Sequence, residues 1–338
     1  MERLKRTEKN TFTERVLQFG EGNFLRGFVD WMIDKLNKEN GGDYGVTIVQ
    51  PLAGGLVDKL NAQDGRYSLY LRGLLKGEKV EETRIVDCVT RGINPYTNTD
   101  EFFDCAKNPD LRFIVSNTTE AGIEYKPNQN PDDFNGLTFP GRLTLFMKKR
   151  FDEGLGGFIL LPCELIDKNG DNLKECILKY SVDWGYGDEF GKWIETENHF
   201  TNTLVDRIVT GYPRDNAKEM EQSYGYLDDM IDTAEIFHLW VIEGDKKLAE
   251  EIPFHKIGLN VLWTDDVTPY KKRKVRILNG AHTMTVLAAH LAGLETVKDA
   301  MDDELVFSFM KQDRIPVHTL LYCLPMPAAS VLRVPEPQ

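Results

Sequence analysis

The sequence predicts an α/β protein, a mostly parallel, twisted sheet covered by helices and followed by a helical C-terminal part. Three observations lead there. Short apolar strand-like runs alternate with amphipathic stretches through the first half of the 338 residues. A glycine turn, Gly20-Glu-Gly22, separates the first strand from the first helix. From about Asp171 onward, helix-like patterns dominate.

Taken in order, Arg15–Phe19 reads as an apolar strand and Asn23–Asn37 as an amphipathic helix. Tyr44–Gln50 is a second strand. Tyr67–Arg72 and Glu82–Val89 form a strand pair, and Asp100–Ala106 a short helix. Leu111–Ser116 is a buried strand, Arg142–Arg150 a helix, and Gly156–Pro162 another apolar strand. Asn202–Arg207 reads as a helix turn, Gly211–Asp215 as a loop, and Phe254–Trp263 as a return to strand. A helix from Arg273 through Ala289 carries an apolar face of Val275, Leu278, Ala281, Val286 and Leu287. The expected divisions are 1–270 for the sheet domain, 271–312 for the start of a helical domain, and 313–338 for an irregular tail. That tail holds Pro316, Pro325, Pro327, Pro335 and Pro337 and has no helix or strand period.

Composition narrows the function. The net charge of −13 opposes general binding to nucleic acid or anionic membranes. No apolar run approaches the ~20 residues that span a bilayer, and the N-terminus lacks a signal-peptide core. The five cysteines are scattered without a C-x-x-C pair, which suits a reducing cytoplasm and argues against a structural metal site. Oligomeric state leaves no signature. Against the acidic background, Lys271, Lys272, Arg273, Lys274 and Arg276 crowd into six positions. They are either a solvated helix face or a local well for a small anion such as a carboxylate.

The glycine turn has the context of a dinucleotide fingerprint, which makes the sheet Rossmann-like. Gly20 permits a tight turn, and Gly22 permits close approach of a pyrophosphate to the helix start. Leu25 stands where a third glycine is usual, so a purely structural turn remains the alternative. The expected cofactor contacts are Phe19, Gly20, Glu21, Gly22, Asn23, Phe24 and Arg26, with Arg26 pairing to phosphate. Gln50 ends the second strand, where an acid normally reads the adenine ribose, and no Arg adjoins it, which favours NAD over NADP. Asn117, Thr118, Thr119 and Glu120 follow a buried strand and complete the expected contacts; a helix N-cap turn is the plainer reading. Pro162–Gly170 is a candidate rim after the next strand.

Lys274, Asn279 and His282 place an amine, a carboxamide and an imidazole within nine residues. On a regular helix they fall at about 0°, 140° and 80°, on roughly one side. Such a set suits deprotonation of an alcohol and stabilisation of the resulting oxyanion. A basic helix start with a buried polar pair is the alternative.

With these pieces in order, the chain resembles the mannitol dehydrogenase family, the polyol-specific long-chain dehydrogenases. The matches are Gln18–Arg26, Gln63-Asp-Gly-Arg-Tyr67, Asn117–Gly122, Asn202–Val209 and Lys274-x4-Asn279-x2-His282, in the family's order. Cys163–Gly170, Val209–Asp215 and Ile277–His282 point to the branch that interconverts D-altronate and D-tagaturonate. The alternatives are the fructuronate-reducing branch and an inactive nucleotide-binding remnant. The resemblance implies NAD, a small sugar-acid substrate, no metal, Lys274 as general acid/base, Asn279 on the alkoxide and His282 on substrate hydroxyls. Mannitol dehydrogenases carry Asn where Leu165 stands, and that Asn belongs to their oxyanion site. It also implies a substantial helical domain closing the substrate cleft, whereas family-like sequence here runs to about Phe309. The expectation is therefore a truncated or frame-shifted ending.

Overall fold

The computed structural model describes residues 1–8, 11–75, 78–119 and 121–312. The chain divides into two compact units, Met1–Arg72 with Glu81–Asp265, and Gly73–Val80 with the chain from Asp266 onward.

In the first unit, β1 (Glu14–Phe19) leads through Gly20–Gly22 into a helical run. That run is made of α1 (Asn23–Leu25), a π-helical turn (Arg26–Asp30) and α2 (Trp31–Asn40). Then come β2 (Gly45–Val49), α3 (Val57–Ala62), β3 (Tyr67–Leu75), β4 (Glu78–Val86), β5 (Val89–Ile93) and α4 (Thr99–Cys105). β6 (Phe113–Ser116), α5 (Phe139–Asp152), β7 (Ile159–Pro162), α6 (Asn169–Asp183) and α7 (Asp188–Glu197) follow. The unit ends with β8 (His199–Phe200), β9 (Asn202–Asp206), α8 (Ala217–Tyr224), β10 (Asp232–Glu235), β11 (Leu239–Glu243) and β12 (Val261–Thr264).

Six strands form one sheet in the order β5-β2-β1-β6-β7-β8, each neighbouring pair parallel. This is the doubly wound order 3-2-1-4-5-6, which puts the topological switch between β1 and β6. Strands such as Phe113–Ser116 and Ile159–Pro162 are buried at every position. Successive residues feed opposite faces. Val16, Phe113 and Ile159 join one core cluster, while Leu17, Ile114 and Leu160 join another. Two three-stranded sheets, β10-β3-β4 and β12-β11-β9, complete the unit, except that Gly73–Leu75 of β3 and Glu78–Val80 of β4 belong to the second.

Several expectations need correction. The run read as one strand over Glu82–Val89 is broken at Asp87-Cys88, and its two parts join different sheets. Helices do not dominate after Asp171, because β8 to β12 follow α7. Asn202–Asp206 is a strand rather than a helix turn: β-branched Thr203 and Val205 pair antiparallel with Ile242 and Trp240 of β11. Phe254–Ile257 is a 3-10 turn ahead of β12.

In the second unit, α9 (Thr268–Arg273) runs into a π-helical turn (Lys274–Asn279) and then α10 (Gly280–Leu291). α11 (Val297–Asp302) opens with a capping box between Thr296 and Asp299, and α12 (Glu304–Gln312) follows. The expected helix over Arg273–Ala289 is present, but its buried row is Ala281, Thr285 and Ala289. Val275, Val286 and Leu287, placed on the apolar face by the sequence, are exposed. Small residues at spacing four are what a close helix–helix approach selects. The tail 313–338 lies outside the described residues.

Candidate functional site

The glycine turn sits where the sheet's order reverses. Gly20 has φ +127°, a conformation L side chains rarely adopt, so its glycine is required by the backbone. Gly22 is different, with φ −64° and ψ 165°, which any residue adopts. A Cβ there would meet no atom within 4 Å. Neither backbone nor packing demands glycine at 22, so the feature fits the close approach of a ligand backbone to the helix start. The helix has no side-chain cap at Gly22, so its first N–H groups are not taken by one. Asn23 is exposed beside it, and Phe24 stacks on Phe28 at 5.0 Å.

Four expected contacts turn their side chains to internal partners. Phe19 turns its ring into the core against Phe139 at 5.0 Å, so its backbone alone borders the turn. Arg26 is buried; its Nε donates to Glu21 O at 3.0 Å, one terminal N to Met230 O at 2.6 Å and the other to Asn23 Oδ1 at 2.7 Å. Its guanidinium also lies over the Tyr67 ring. In place of the expected outward-facing group, the Arg26 charge is desolvated and spent on the Glu21 carbonyl of the loop, the Met230 carbonyl and the Asn23 side chain. Gln50 is likewise buried, donating to Leu52 O and Ala53 O and accepting from the Val57 N–H. It shapes the loop Pro51–Leu56 instead of offering donors to a ribose. Glu21, whose carboxyl is pushed up by burial, accepts from the Leu56 N–H at 3.3 Å and ties the same loop to the glycine turn.

The turn after β6 abuts the glycine turn. The Asn117 N–H donates to Phe19 O at 3.1 Å, and a Cβ on Gly20 would lie 3.3 Å from Asn117 O. Thr118 is half-buried, while Thr119 is exposed and carries φ +73°, a strained value for a β-branched residue. Glu120 lies outside the described residues. Buried Glu164 accepts from Ser116 Oγ at 3.1 Å and from the Thr118 N–H and Oγ1, both at 3.0 Å. Burial pushes its carboxyl up, against those hydrogen bonds. Asn169 bridges further: its Nδ2 donates to Pro162 O, Glu164 O and Thr203 O.

Beneath the glycine turn lies a polar network the sequence reading passed over. The π-helical turn offers the Arg26 and Gly27 carbonyls to side chains, Tyr67 OH at 2.9 Å and an Arg207 terminal N at 2.7 Å. Asp30 is fully buried, and desolvation raises its carboxyl to about 7; hydrogen bonds from Tyr67 and Gln18 and the Arg26 charge oppose this, and Asp232 adds to it. Asp232, raised by burial to about 6, borders Gly27. His238, lowered by burial to about 4, accepts from the Asn260 N–H at Nε2. The signal for Asp30 was an acid on the buried face of an otherwise apolar helix start. Gln63 and Arg207, quoted only as motif members, also serve the frame, Gln63 donating to Asp228 Oδ1 at 2.8 Å.

In the second unit the π turn changes the geometry of the polar trio. The Gly280 N–H reaches Val275 O, five residues back. A π turn advances roughly 80° per residue rather than about 100°, bringing residues five apart nearly into line. Lys274 and Asn279 are such a pair, so the separation of about 140° expected for a regular helix closes by most of its value. His282, three residues further in α10, falls on the same side. Lys274 and His282 are half-buried, and Asn279 is exposed. His282 also lines a mainly apolar cleft of about 310 Å³ with Leu278, Ala281, Ala289 and Met301.

Among the described residues, no group of three or more His, Cys, Asp or Glu is placed to hold a metal ion, and no helix is long and apolar enough to cross a membrane.

The sequence profile of the mannitol dehydrogenase Rossmann domain matches residues 14–256, and that of the mannitol dehydrogenase C-terminal domain matches 266–321. The altronate oxidoreductase of Cronobacter sakazakii is 48% identical over 304 residues, covering 88% of this chain and 63% of that protein. The altronate oxidoreductase of Shigella flexneri is 48% identical over 306 residues, covering 89% and 63%. The chain thus spans under two thirds of the length of these curated relatives. A substrate-free D-sorbitol dehydrogenase superposes with TM-score 0.78 at 23% identity, covering 99% of this chain and 69% of that one. The Pseudomonas fluorescens mannitol 2-dehydrogenase, in ternary complex with NAD and D-mannitol, gives 0.74 at 21%, covering 96% and 68%. Both show the fold. With its Rossmann profile matched from strand β1 to the 3-10 turn before β12, the chain belongs to the mannitol dehydrogenase family.

Proposed function

We propose that the chain is an NAD-dependent oxidoreductase interconverting D-altronate and D-tagaturonate. The substrate pair is favoured by the 48% identity to proteins named altronate oxidoreductase. The observation that carries the chemistry is the π turn that draws Lys274 and Asn279 toward one side of their helix, with His282 beside them.

The cofactor reading is supported by Gly22, whose open Cβ position suits a pyrophosphate lying against the backbone. Gly20, Gly22 and Asn23 would hold the phosphates, and Asn117, Thr118 and Thr119 would border the dinucleotide. The nicotinamide supplies the hydride when bound. Lys274 donates the proton to the carbonyl oxygen as the ketone is reduced, and accepts it back in the oxidation of altronate. The Asn279 carboxamide donates a hydrogen bond to the developing alkoxide, and His282 holds substrate hydroxyls. Lys271 lies three residues before Lys274 and is half-buried like it, whereas Lys272, Arg273 and Arg276 are exposed. Lys271 is therefore assigned the uronate carboxylate.

The test is NADH oxidation with tagaturonate, fructuronate and fructose, run beside Lys274→Ala. The expected result is turnover with tagaturonate that falls by roughly 10²–10⁴-fold in the variant. NADH binding with no turnover of any substrate would sink the enzymatic reading, and preference for fructuronate would redirect the substrate assignment.

A further inference from the structure

The geometry points to Glu164 as a positioning residue that sets the Asn117–Thr119 turn for the dinucleotide before any ligand arrives. The inference rests on the cofactor reading above and adds a residue to it. Glu164 is 2% exposed, and its side chain accepts three hydrogen bonds, all from one turn: Ser116 Oγ, the Thr118 N–H and Thr118 Oγ1. A carboxylate carries two acceptor oxygens and no donor, which matches that set of donors. A carboxylate this deep is costly unless it is fully used.

The clamp has a fixed base. Asn169 Nδ2 holds Glu164 O at 3.1 Å and Pro162 O at 2.9 Å, while Asn169 Oδ1 accepts the Thr203 N–H at 2.8 Å. Glu164 is thereby anchored to β7 and β9. The clamped turn holds a strain that needs holding, because Thr119 sits at φ +73° next to the residue Glu164 grips. It also closes on itself: a Cβ at Gly122 would come within 1.9 Å of Thr118 Oγ1. Since the Asn117 N–H bonds to Phe19 O and Asn117 O lies against Gly20, the two turns share one surface. Moving the 117–119 turn would deform the border of the glycine turn.

NADH affinity by calorimetry and amide hydrogen exchange at Thr118 and Thr119 in the ligand-free chain test this, with Glu164→Gln, Glu164→Ala and Thr118→Val. In Glu164→Gln the amide turns its NH2 to Ser116 Oγ and keeps Oε1 for Thr118, so NADH affinity stays within about threefold. Glu164→Ala is expected to weaken NADH by roughly 30-fold and to speed exchange at Thr118, with far-UV circular dichroism unchanged. If Glu164→Ala does not fold, Thr118→Val, which loses one bond of the clamp, carries the test with a loss of about three- to tenfold. Parent-like NADH affinity in the alanine or valine variant overturns this inference alone, as does equal loss in Gln and Ala. A parent chain that fails to bind NADH overturns the cofactor reading and this inference with it.

Discussion

Gly20 and Gly22 stand two residues apart and are glycine for unlike reasons. Gly20 is held at φ +127°, so Gly20→Ala should cost about 1–3 kcal/mol of stability through strain alone. Gly22 has an ordinary conformation and open space, so Gly22→Ala should change stability by less than about 0.5 kcal/mol. It should nevertheless weaken NADH by roughly tenfold, because the methyl occupies the ligand's approach. Urea unfolding and NADH titration of both variants separate the two effects; a Gly22→Ala protein that binds NADH like the parent would remove the pyrophosphate from this turn. The glycine turn was legible from sequence because spacing and backbone freedom are local properties. The fate of Arg26 and Gln50 was not: both looked like ligand-facing polar groups, and both are consumed by carbonyls brought near by the fold.

At the scale of elements, both helices that carry expected site residues contain a π turn, Arg26–Asp30 and Lys274–Asn279. Deleting Ile277 should let the second turn revert to α-helix with the lysine then four residues before the asparagine, still within about 40° of it and of the histidine beyond. Helical content, read by circular dichroism, and turnover should both be largely kept; turnover lost with helical content intact would show that the widened turn does more than align these groups. The first π turn buries Asp30, which predicts a pH effect. Its folded value of about 7 lies above the ordinary 3.8, so its contribution to stability is fully present below about pH 4 and lost as pH rises through 7. The span corresponds to on the order of 4 kcal/mol. His238 acts in the opposite sense: its folded value of about 4 lies below 6.5, so its contribution is present above about pH 6.5 and lost as pH falls through 4. Asp30→Asn should therefore flatten the loss of stability between about pH 4.5 and 7, measured by urea unfolding at several pH values. A loss of the same size in the variant would place the titration elsewhere. No periodicity announces a π turn, because it is one residue of slack that packing either absorbs or expels.

For the whole molecule, the contrast between the two cores has a measurable consequence. The first unit buries large side chains such as Trp240, Tyr67 and Phe28 on both faces of its sheets. Among the described residues, the second unit's buried cluster consists of Ala281, Ala289, Ala300, Val306 and Met310. Apolar burial stabilises by about 25 cal/mol per Å², so residues this small contribute far less to the second unit. Amide protection in α10 should accordingly be several orders of magnitude below that of β1 and β6, and saturating NADH should raise protection around Gly20–Asn23 and Asn117–Thr119. Equal protection in α10 and β1 would contradict the burial argument.

The alternation of apolar strands with amphipathic helices was readable for β1, β2, β6 and β7, which are buried at most or all positions and declare themselves by a continuous apolar run. β8 to β11 were not, because short strands such as Asn202–Asp206 mix polar and apolar residues and owe their form to a partner more than thirty residues away; β12 falls at the end of Phe254–Trp263, which was read as strand. The residue types at Lys274, Asn279 and His282 followed from the order of amino acids. Their alignment through a widened helical turn, and the capture of Glu164 by the Ser116–Thr118 turn, depended on contacts across the fold, which no local pattern encodes.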